Sequence, residues 1–122
     1  MDTTICKGEG KDCKVTFRFV EGSTTLDVQD IIYIETNKHK NLFVTKEGTY
    51  SIYRKMGELE KELSEYDFLR IHQSFLVNMS YIQKISSYVM TLTTGIQLSV
   101  PKARYPQVKL RYKEYLGEEK GA

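Results

Sequence analysis

The sequence predicts a mainly β fold of short antiparallel strands with one or two short helices. Apolar and polar residues alternate along several segments, short turn signals separate those segments, and only two segments repeat at helical spacing. The chain has 122 residues, of which 40% are hydrophobic and 28% are charged. That length and composition suit one folded domain.

Seven segments are predicted strands, namely residues 14–19, 29–35, 41–45, 49–53, 81–85, 88–92 and 95–100. In the first, Val15, Phe17 and Phe19 share one face, which is the period of a half-buried strand. The second is apolar on both faces, so we expect it to be central and more deeply buried. Gly48 can supply the positive φ that a hairpin between the third and fourth strands needs.

Two segments predict helices. Residues 54–66 place Met56, Leu59 and Leu63 at helical spacing on an otherwise charged surface. Residues 105–116 form the second predicted helix, where Pro106 suits the first turn.

Composition and cysteine usage exclude several classes of protein. The 18 Lys and Arg residues nearly balance 16 Asp and Glu residues, so bulk charge does not indicate nucleic-acid binding. No apolar run is long enough for a membrane span, and residues 1–6 do not resemble a secretory signal, so we expect a cytoplasmic protein. Cys6 and Cys13 do not have the spacing of a zinc site. A disulfide is sterically possible across the loop between them, but in a cytosolic chain we expect free thiols. We also expect no metal and no cofactor.

One short segment has residues used in catalysis. His72 and Ser74 supply a base and a hydroxyl, and both would lie on one face if a strand from Phe68 ran through them. A nucleophilic triad also needs an orienting carboxylate and an oxyanion hole, and neither has a candidate in the sequence. We therefore predict that the protein is not an enzyme.

Three polar segments lie between or beyond predicted strands. They are Asn37–Lys38–His39–Lys40, His72–Gln73–Ser74, and the basic stretch that starts with Lys102 and Arg104. If they converge, they form a basic edge with amide and hydroxyl donors, as in proteins that bind DNA. Taken alone, the first segment is more typical of a solvated hairpin loop, and the third suits a helix with cations toward its C-terminus.

Residues 68–82, FLRIHQSFLVNMSYI, carry the most informative pattern. They resemble the central signature of LytTR-type DNA-binding domains, roughly F-x-R-x-H-[RKQN]-S-[FY]-[LIV]-V-N-x-x-x-I. Residues 30–35, 48–60 and 95–102 resemble further passages of that family in the same order. These domains are output modules of LytR/AgrA-like bacterial response regulators in two-component systems.

The resemblance implies an elongated, sandwich-like fold of three small antiparallel sheets. It implies that loops reach successive major grooves of double-stranded DNA at promoter repeats, often as pairs of domains. A homodimer on DNA is therefore expected, and a receiver domain is expected if the chain is a fragment. The predicted domain spans residues 15–116, preceded by a flexible segment or first strand at 1–14 and followed by a frayed tail at 117–122.

The resemblance also assigns site residues. The DNA-binding set is Asn37, Lys38, His39, Lys40, Gln73, Ser74, Lys102 and Arg104. His72 and Asn78 match positions that brace loops. One departure concerns the third loop, where Ser99 and Pro101 stand at positions usually held by Pro and Ser, so a backbone N–H contact is expected to be lost.

The alternative is a β-rich protein-interaction module without nucleic-acid binding. It would use exposed tyrosines such as Tyr50, Tyr53 and Tyr88 on a sheet face. It would be favoured if those side chains formed one exposed patch and the basic loops pointed in different directions.

Overall fold

The computed structural model describes residues 13–117, in which ten strands and two α-helices are present. The strands are β1 (Lys14–Phe19), β2 (Gly22–Asp27), β3 (Ile31–Asn37), β4 (Lys40–Thr45), β5 (Gly48–Ile52), β6 (Phe68–His72), β7 (Phe75–Asn78), β8 (Ile82–Ser86), β9 (Val89–Leu92) and β10 (Gln97–Ser99). The helices are α1 (Met56–Leu63) and α2 (Tyr105–Leu116). Most of the predicted terminal segments, 1–14 and 117–122, lies outside the described residues.

Three antiparallel sheets build the fold, which confirms the predicted fold class. The central sheet has the order β5-β4-β3-β7-β6, and it is flanked by the hairpin β1-β2 and the meander β10-β9-β8. Strands β3 and β7 are neighbours in the central sheet although β4, β5, α1 and β6 separate them in sequence. This one long-range pairing sets which loops lie side by side.

The central sheet has a hydrophobic core on each face. One core packs the sheet against β1, β2 and α1, and the other packs it against β8, β9, β10 and α2. In β3, Ile31 and Ile34 belong to the first core, whereas Ile32 and Tyr33 belong to the second. Strict alternation fails here because a bulge shifts the pairing with β4 between Ile31 and Tyr33.

The predicted strands are found with end shifts of one or two residues, and residues 29–35 supply the central strand as expected. Strand β2 was not predicted because it is rich in Ser and Thr, and only Leu26 in it is buried. The strand that begins at Phe68 does not run on to Ser74. It ends at His72, and Gln73 and Ser74 form the turn into β7.

Both predicted helices are present. α1 is shorter than the predicted 54–66 segment because a 3₁₀ turn, Ser64–Tyr66, replaces its last part. Its buried stripe is the predicted one, Met56, Leu59 and Leu63. α2 has the predicted bounds, with Pro106 in its first turn. Neither helix in residues 13–117 has the length and apolar character to cross a membrane.

The predicted free thiol at Cys13 is wrong. Cys13 is disulfide-bonded and buried at the start of the described chain. The prediction followed from the expected compartment, whereas pairing depends on how closely the chain brings two sulfurs together. Cys6 lies outside the described residues.

Candidate nucleic-acid interface

The first two predicted loops lie side by side at one edge of the central sheet. Strands β3 and β7 pair with Glu35 opposite Phe75, so the turn that follows β3 adjoins the turn that precedes β7. The backbone N–H of Thr36 donates to the carbonyl of Ser74 at 2.9 Å and joins the two hairpins directly. This edge therefore carries both polar segments that the sequence singled out.

The first loop is a tight two-residue turn held from below. Asn37 pairs with Lys40, so Lys38 and His39 form the tip, and both are exposed. Beneath them the buried amide of Asn41 accepts a hydrogen bond from the Thr36 hydroxyl at 2.8 Å. The same amide donates to the carbonyl of Arg54. A buried amide with both groups bonded fixes the direction in which the loop projects.

The second loop is braced by two side chains of the preceding strand, Arg70 and His72. Arg70 donates to the carbonyls of His72 at 3.1 Å and Gln73 at 2.8 Å, and it also pairs with Glu60 of α1 at 2.8 Å. The backbone N–H of Ser74 donates to Nδ1 of His72 at 2.9 Å. These bonds turn the loop backbone toward the protein, and the side chain of Gln73 remains exposed. They support the predicted bracing role of His72.

Asn78 lies at the opposite end of β7, so the structure does not bring it to the loops at this edge. Its buried side chain donates to the carbonyls of Ile31 at 2.9 Å and Val28 at 3.4 Å. Its oxygen accepts from the N–H and hydroxyl of Ser80 at 3.0 and 2.8 Å. Asn78 thus ties together the 3₁₀ turns Val28–Asp30 and Met79–Tyr81.

The third loop, which leads into α2, exposes Lys102 and Arg104. Its start is anchored because the N–H of the buried Val100 donates to the carbonyl of Tyr88 at 2.9 Å. Its end is anchored by Tyr105, whose ring centroid lies 4.4 Å from that of Tyr88. Pro101 contributes no N–H in this loop, in line with the expected loss of a donor.

Packing of α2 sets which end of the molecule the third loop occupies. The helix lies against β6, and Val108 is buried in the second core. At the C-terminal end of the helix, Tyr115 lies close to Asp67, just before β6. Burial raises the pKa of the Tyr115 hydroxyl, and the negative charge of Asp67 raises it further. Since β6 runs from that end toward His72, α2 begins on the side where β6 ends, which is the side of the first two loops.

Charge is segregated between the loops and α1. Within residues 13–117 no carboxylate lies within ion-pair distance of the predicted contact cations Lys38, Lys40, Lys102 and Arg104. The glutamates of α1 are instead engaged by two other arginines, Arg54 and Arg70. The hydrogen bond to Glu62 is the main cause that raises the pKa of Arg54. The loop cations therefore remain available to an anionic partner.

The structure adds a connection that the sequence did not single out. Strand β5 ends at the same edge, because it pairs antiparallel with β4 and places Ile52 opposite Asn41. The residues that follow, Tyr53 and Lys55, line a depression of about 300 Å³ together with the first loop. The sequence could have predicted the position of this connection, because consecutive hairpin strands alternate in direction. For that reason β3 ends, β4 begins and β5 ends at the same edge.

A larger cavity, about 960 Å³, lies at the opposite end of the molecule. Among the predicted site residues only Asn78 lines it. His72 lines neither of these two cavities, so neither one joins it to a carboxylate as a hydrolytic site would require.

The β fold and its basic loop edge are those of a DNA-binding domain, and comparison with known proteins identifies the family. The family model described as LytTr DNA-binding domain matches residues 21–113. The chain belongs to this family, which confirms the predicted resemblance. The family is defined by binding to DNA and not by a catalysed reaction.

Individual relatives agree with this assignment. The sensory transduction protein LytT of Bacillus subtilis is 29% identical over 101 residues, 79% of this chain and 42% of the relative. The transcriptional regulatory protein NatR of the same organism is 31% identical over 88 residues, 71% of this chain and 38% of the relative. The chain thus spans about two fifths of the length of these curated relatives.

A solved structure shows the same fold. It is a LytTr DNA-binding domain from Bacillus cereus, with a TM-score of 0.70 and 22% sequence identity. The match covers 84% of this chain and 97% of that one.

Proposed function

We propose that this chain is the DNA-binding part of a transcriptional regulator and reads specific sequences of double-stranded DNA through loops in successive major grooves. The observation that carries the proposal is the hydrogen bond between Thr36 and Ser74, which seats two polar loops side by side. Cations on such loops bind phosphates, and amide or imidazole groups beside them read base edges.

The loop residues divide between attachment and readout. Lys38, Lys40, Lys102 and Arg104 supply electrostatic attachment, and Ser74 contacts a phosphate. Gln73 and His39 supply hydrogen-bond readout, with Asn37 as a further polar member of the first loop. A Gln amide can pair with adenine through two hydrogen bonds. His72 braces the second loop, and Asn78 braces the turns at the far end of β7.

Selection from a random pool of DNA duplexes tests the proposal most directly. The protein should enrich a defined sequence that spans successive major grooves, and repeats of that sequence should bind pairs of domains. Recovery of unenriched duplexes after several rounds would contradict sequence-specific binding.

Two substitutions separate readout from attachment. Gln73→Ala should cost about 1–3 kcal/mol of binding free energy on the selected duplex and relax the preference at one base pair. Lys40→Ala should weaken binding to all sequences more evenly. Anisotropy titrations with the selected duplex and single-base variants measure both effects. Equal losses on every duplex for both variants would refute this division of roles.

Lys38 is expected to show opposite effects on stability and binding. Its φ of 62° is in the left-handed region, which costs a non-glycine residue about 1–2 kcal/mol. Lys38→Gly should raise the free energy of unfolding by about 0.5–1 kcal/mol, since the gain is partly offset by unfolded-chain entropy. It should weaken DNA binding because a loop cation is lost. Urea unfolding and DNA titration measure the two effects, and a variant with unchanged affinity would show that Lys38 does not contact DNA.

The remaining assignments extend to the whole protein. We propose that it acts in the cytoplasm, catalyses nothing, binds promoter repeats as a homodimer, and joins a receiver domain if the chain is a fragment. The domain boundaries remain those predicted, residues 15–116. A membrane partner is not part of the proposal.

The protein-interaction alternative is not favoured. Tyr50 is partly buried against the first core, with its ring centroid 5.0 Å from that of Phe19. Tyr53 lies beside the first loop, and Tyr88 packs on Tyr105. The three tyrosines therefore do not form the single exposed patch that this alternative requires.

A further inference from the structure

A basic patch lies beside the first loop, on the connection between β5 and α1. We propose that Tyr53 and Lys55 in this connection bind backbone phosphates of the DNA strand that the first loop engages. This inference rests on the proposed function and adds a fourth contact segment to the three loops predicted from sequence.

The position of the connection is the first support. It begins where β5 ends, at the sheet edge that carries the first two loops. Lys38, His39 and Lys40 of the first loop line the 300 Å³ depression together with Tyr53 and Lys55 of the connection. The Asn41 amide ties the loop to the connection through the Arg54 carbonyl. A phosphate chain laid against the loop would therefore also meet this connection.

The charges in the connection are the second support. Arg54 is committed to α1, since it pairs with Glu58 at 3.2 Å and with Glu62. Lys55 is exposed, and no described carboxylate lies within ion-pair distance of it. Lys38, Lys40 and Lys55 thus line one depression. The nearby carboxylates of Glu58 and Glu62 are already paired with Arg54. Such a cluster of lysines suits a phosphate backbone.

The place of Lys55 at the start of α1 is the third support. It is the N-cap residue, and its side chain makes no capping hydrogen bond. Ser, Thr, Asp and Asn stabilise this position, whereas Lys has no acceptor to offer. Lys55 supports the helix only through its backbone carbonyl, which accepts from the N–H groups of Glu58 at 3.0 Å and Leu59 at 3.1 Å. Its side chain is therefore available for contact with a ligand.

Tyr53 completes the patch. Its side chain is 69% exposed, in contrast to the partly buried Tyr50 on the same hairpin. A phenol hydroxyl at a rim can donate to a phosphate oxygen without the entropy cost of a long flexible chain. Lys55 supplies the charge and Tyr53 supplies a neutral donor to the same backbone.

The test compares matched lysine variants on a duplex of about two helical turns (~20 base pairs). Lys55→Ala should lower affinity about fivefold and reduce the slope of log affinity against log salt by about one. Tyr53→Phe should lower affinity less and leave the salt slope unchanged. Lys61→Ala is the control, because Lys61 is exposed at the other end of α1. It should leave both affinity and slope unchanged.

A capping variant separates binding from stability. Lys55→Ser should raise the Tm by about 3–6 °C through the new N-cap while it weakens DNA binding as Lys55→Ala does. Replacing single phosphates with methylphosphonates should identify a position that weakens binding of the wild type but not of Lys55→Ala.

The outcomes distinguish this inference from the proposed function. If the wild type binds with a steep salt dependence and Lys55→Ala behaves as Lys61→Ala does, the fourth contact is wrong and the DNA-binding function stands. If the wild type binds no duplex, both are wrong.

Discussion

DNA affinity is expected to fall about a thousandfold when the salt concentration rises from about 50 to about 200 mM. Lys38, Lys40, Lys102 and Arg104 are exposed or half-exposed and have no carboxylate in ion-pair distance among the described residues. With Lys55, these cations can neutralise about five phosphates. Each neutralised phosphate releases condensed counterions, which makes the affinity steeply dependent on salt.

Fluorescence anisotropy titrations at several salt concentrations measure this slope. Unrelated duplexes should show nearly the same slope as the selected sequence, because phosphate contacts do not depend on sequence. A flat response would contradict an electrostatic interface at this edge.

Replacing Asn78 is expected to lower the free energy of unfolding more than any other substitution proposed for this protein. Asn78→Leu removes the donor to the Ile31 and Val28 carbonyls and the acceptor for Ser80. The Ile31 carbonyl loses its side-chain donor, and the Ser80 N–H and hydroxyl lose their acceptor, beside a side chain that is only 4% exposed. The Val28 carbonyl keeps the backbone N–H of Ile31. Since each unpaired buried group costs about 1–3 kcal/mol, the free energy of unfolding should drop by about 3 kcal/mol or more.

Urea unfolding measures this loss, and Asn37→Ala provides the matched control. Asn37 is exposed in the first loop, so its replacement should change the free energy of unfolding by no more than about 0.5 kcal/mol. Equal stability of the two variants would show that the hydrogen bonds of Asn78 do not hold the 3₁₀ turns together.

Local sequence patterns predicted most of the secondary structure. Alternation located β1, and a segment that is apolar on both faces located the central strand β3. Helical spacing located the buried stripe of α1 and the bounds of α2. The missed hairpin turn at Gln73 and Ser74 has neither Gly, Pro, Asn nor Asp. Its shape depends instead on Arg70, which reaches back to two loop carbonyls. Such bracing by a side chain leaves no turn signal in the sequence.

Motifs identified the family and the loop residues, but they did not show where those residues meet. The order of the 68–82 signature and its flanking passages is a property of the sequence alone. The disulfide at Cys13 could not be predicted in this way, because neither the spacing of the cysteines nor the expected compartment indicated it.

By itself, then, the sequence determined most of the strands, the helices, the family and three polar segments, because each is encoded in neighbouring residues. The tertiary structure decided that β3 pairs with β7, which places the first loop against Ser74, and that β5 ends at the same edge, which brings Lys55 beside Lys38. These placements depend on pairings between distant strands, and such pairings are selected by burial on both faces of a sheet rather than by any local pattern.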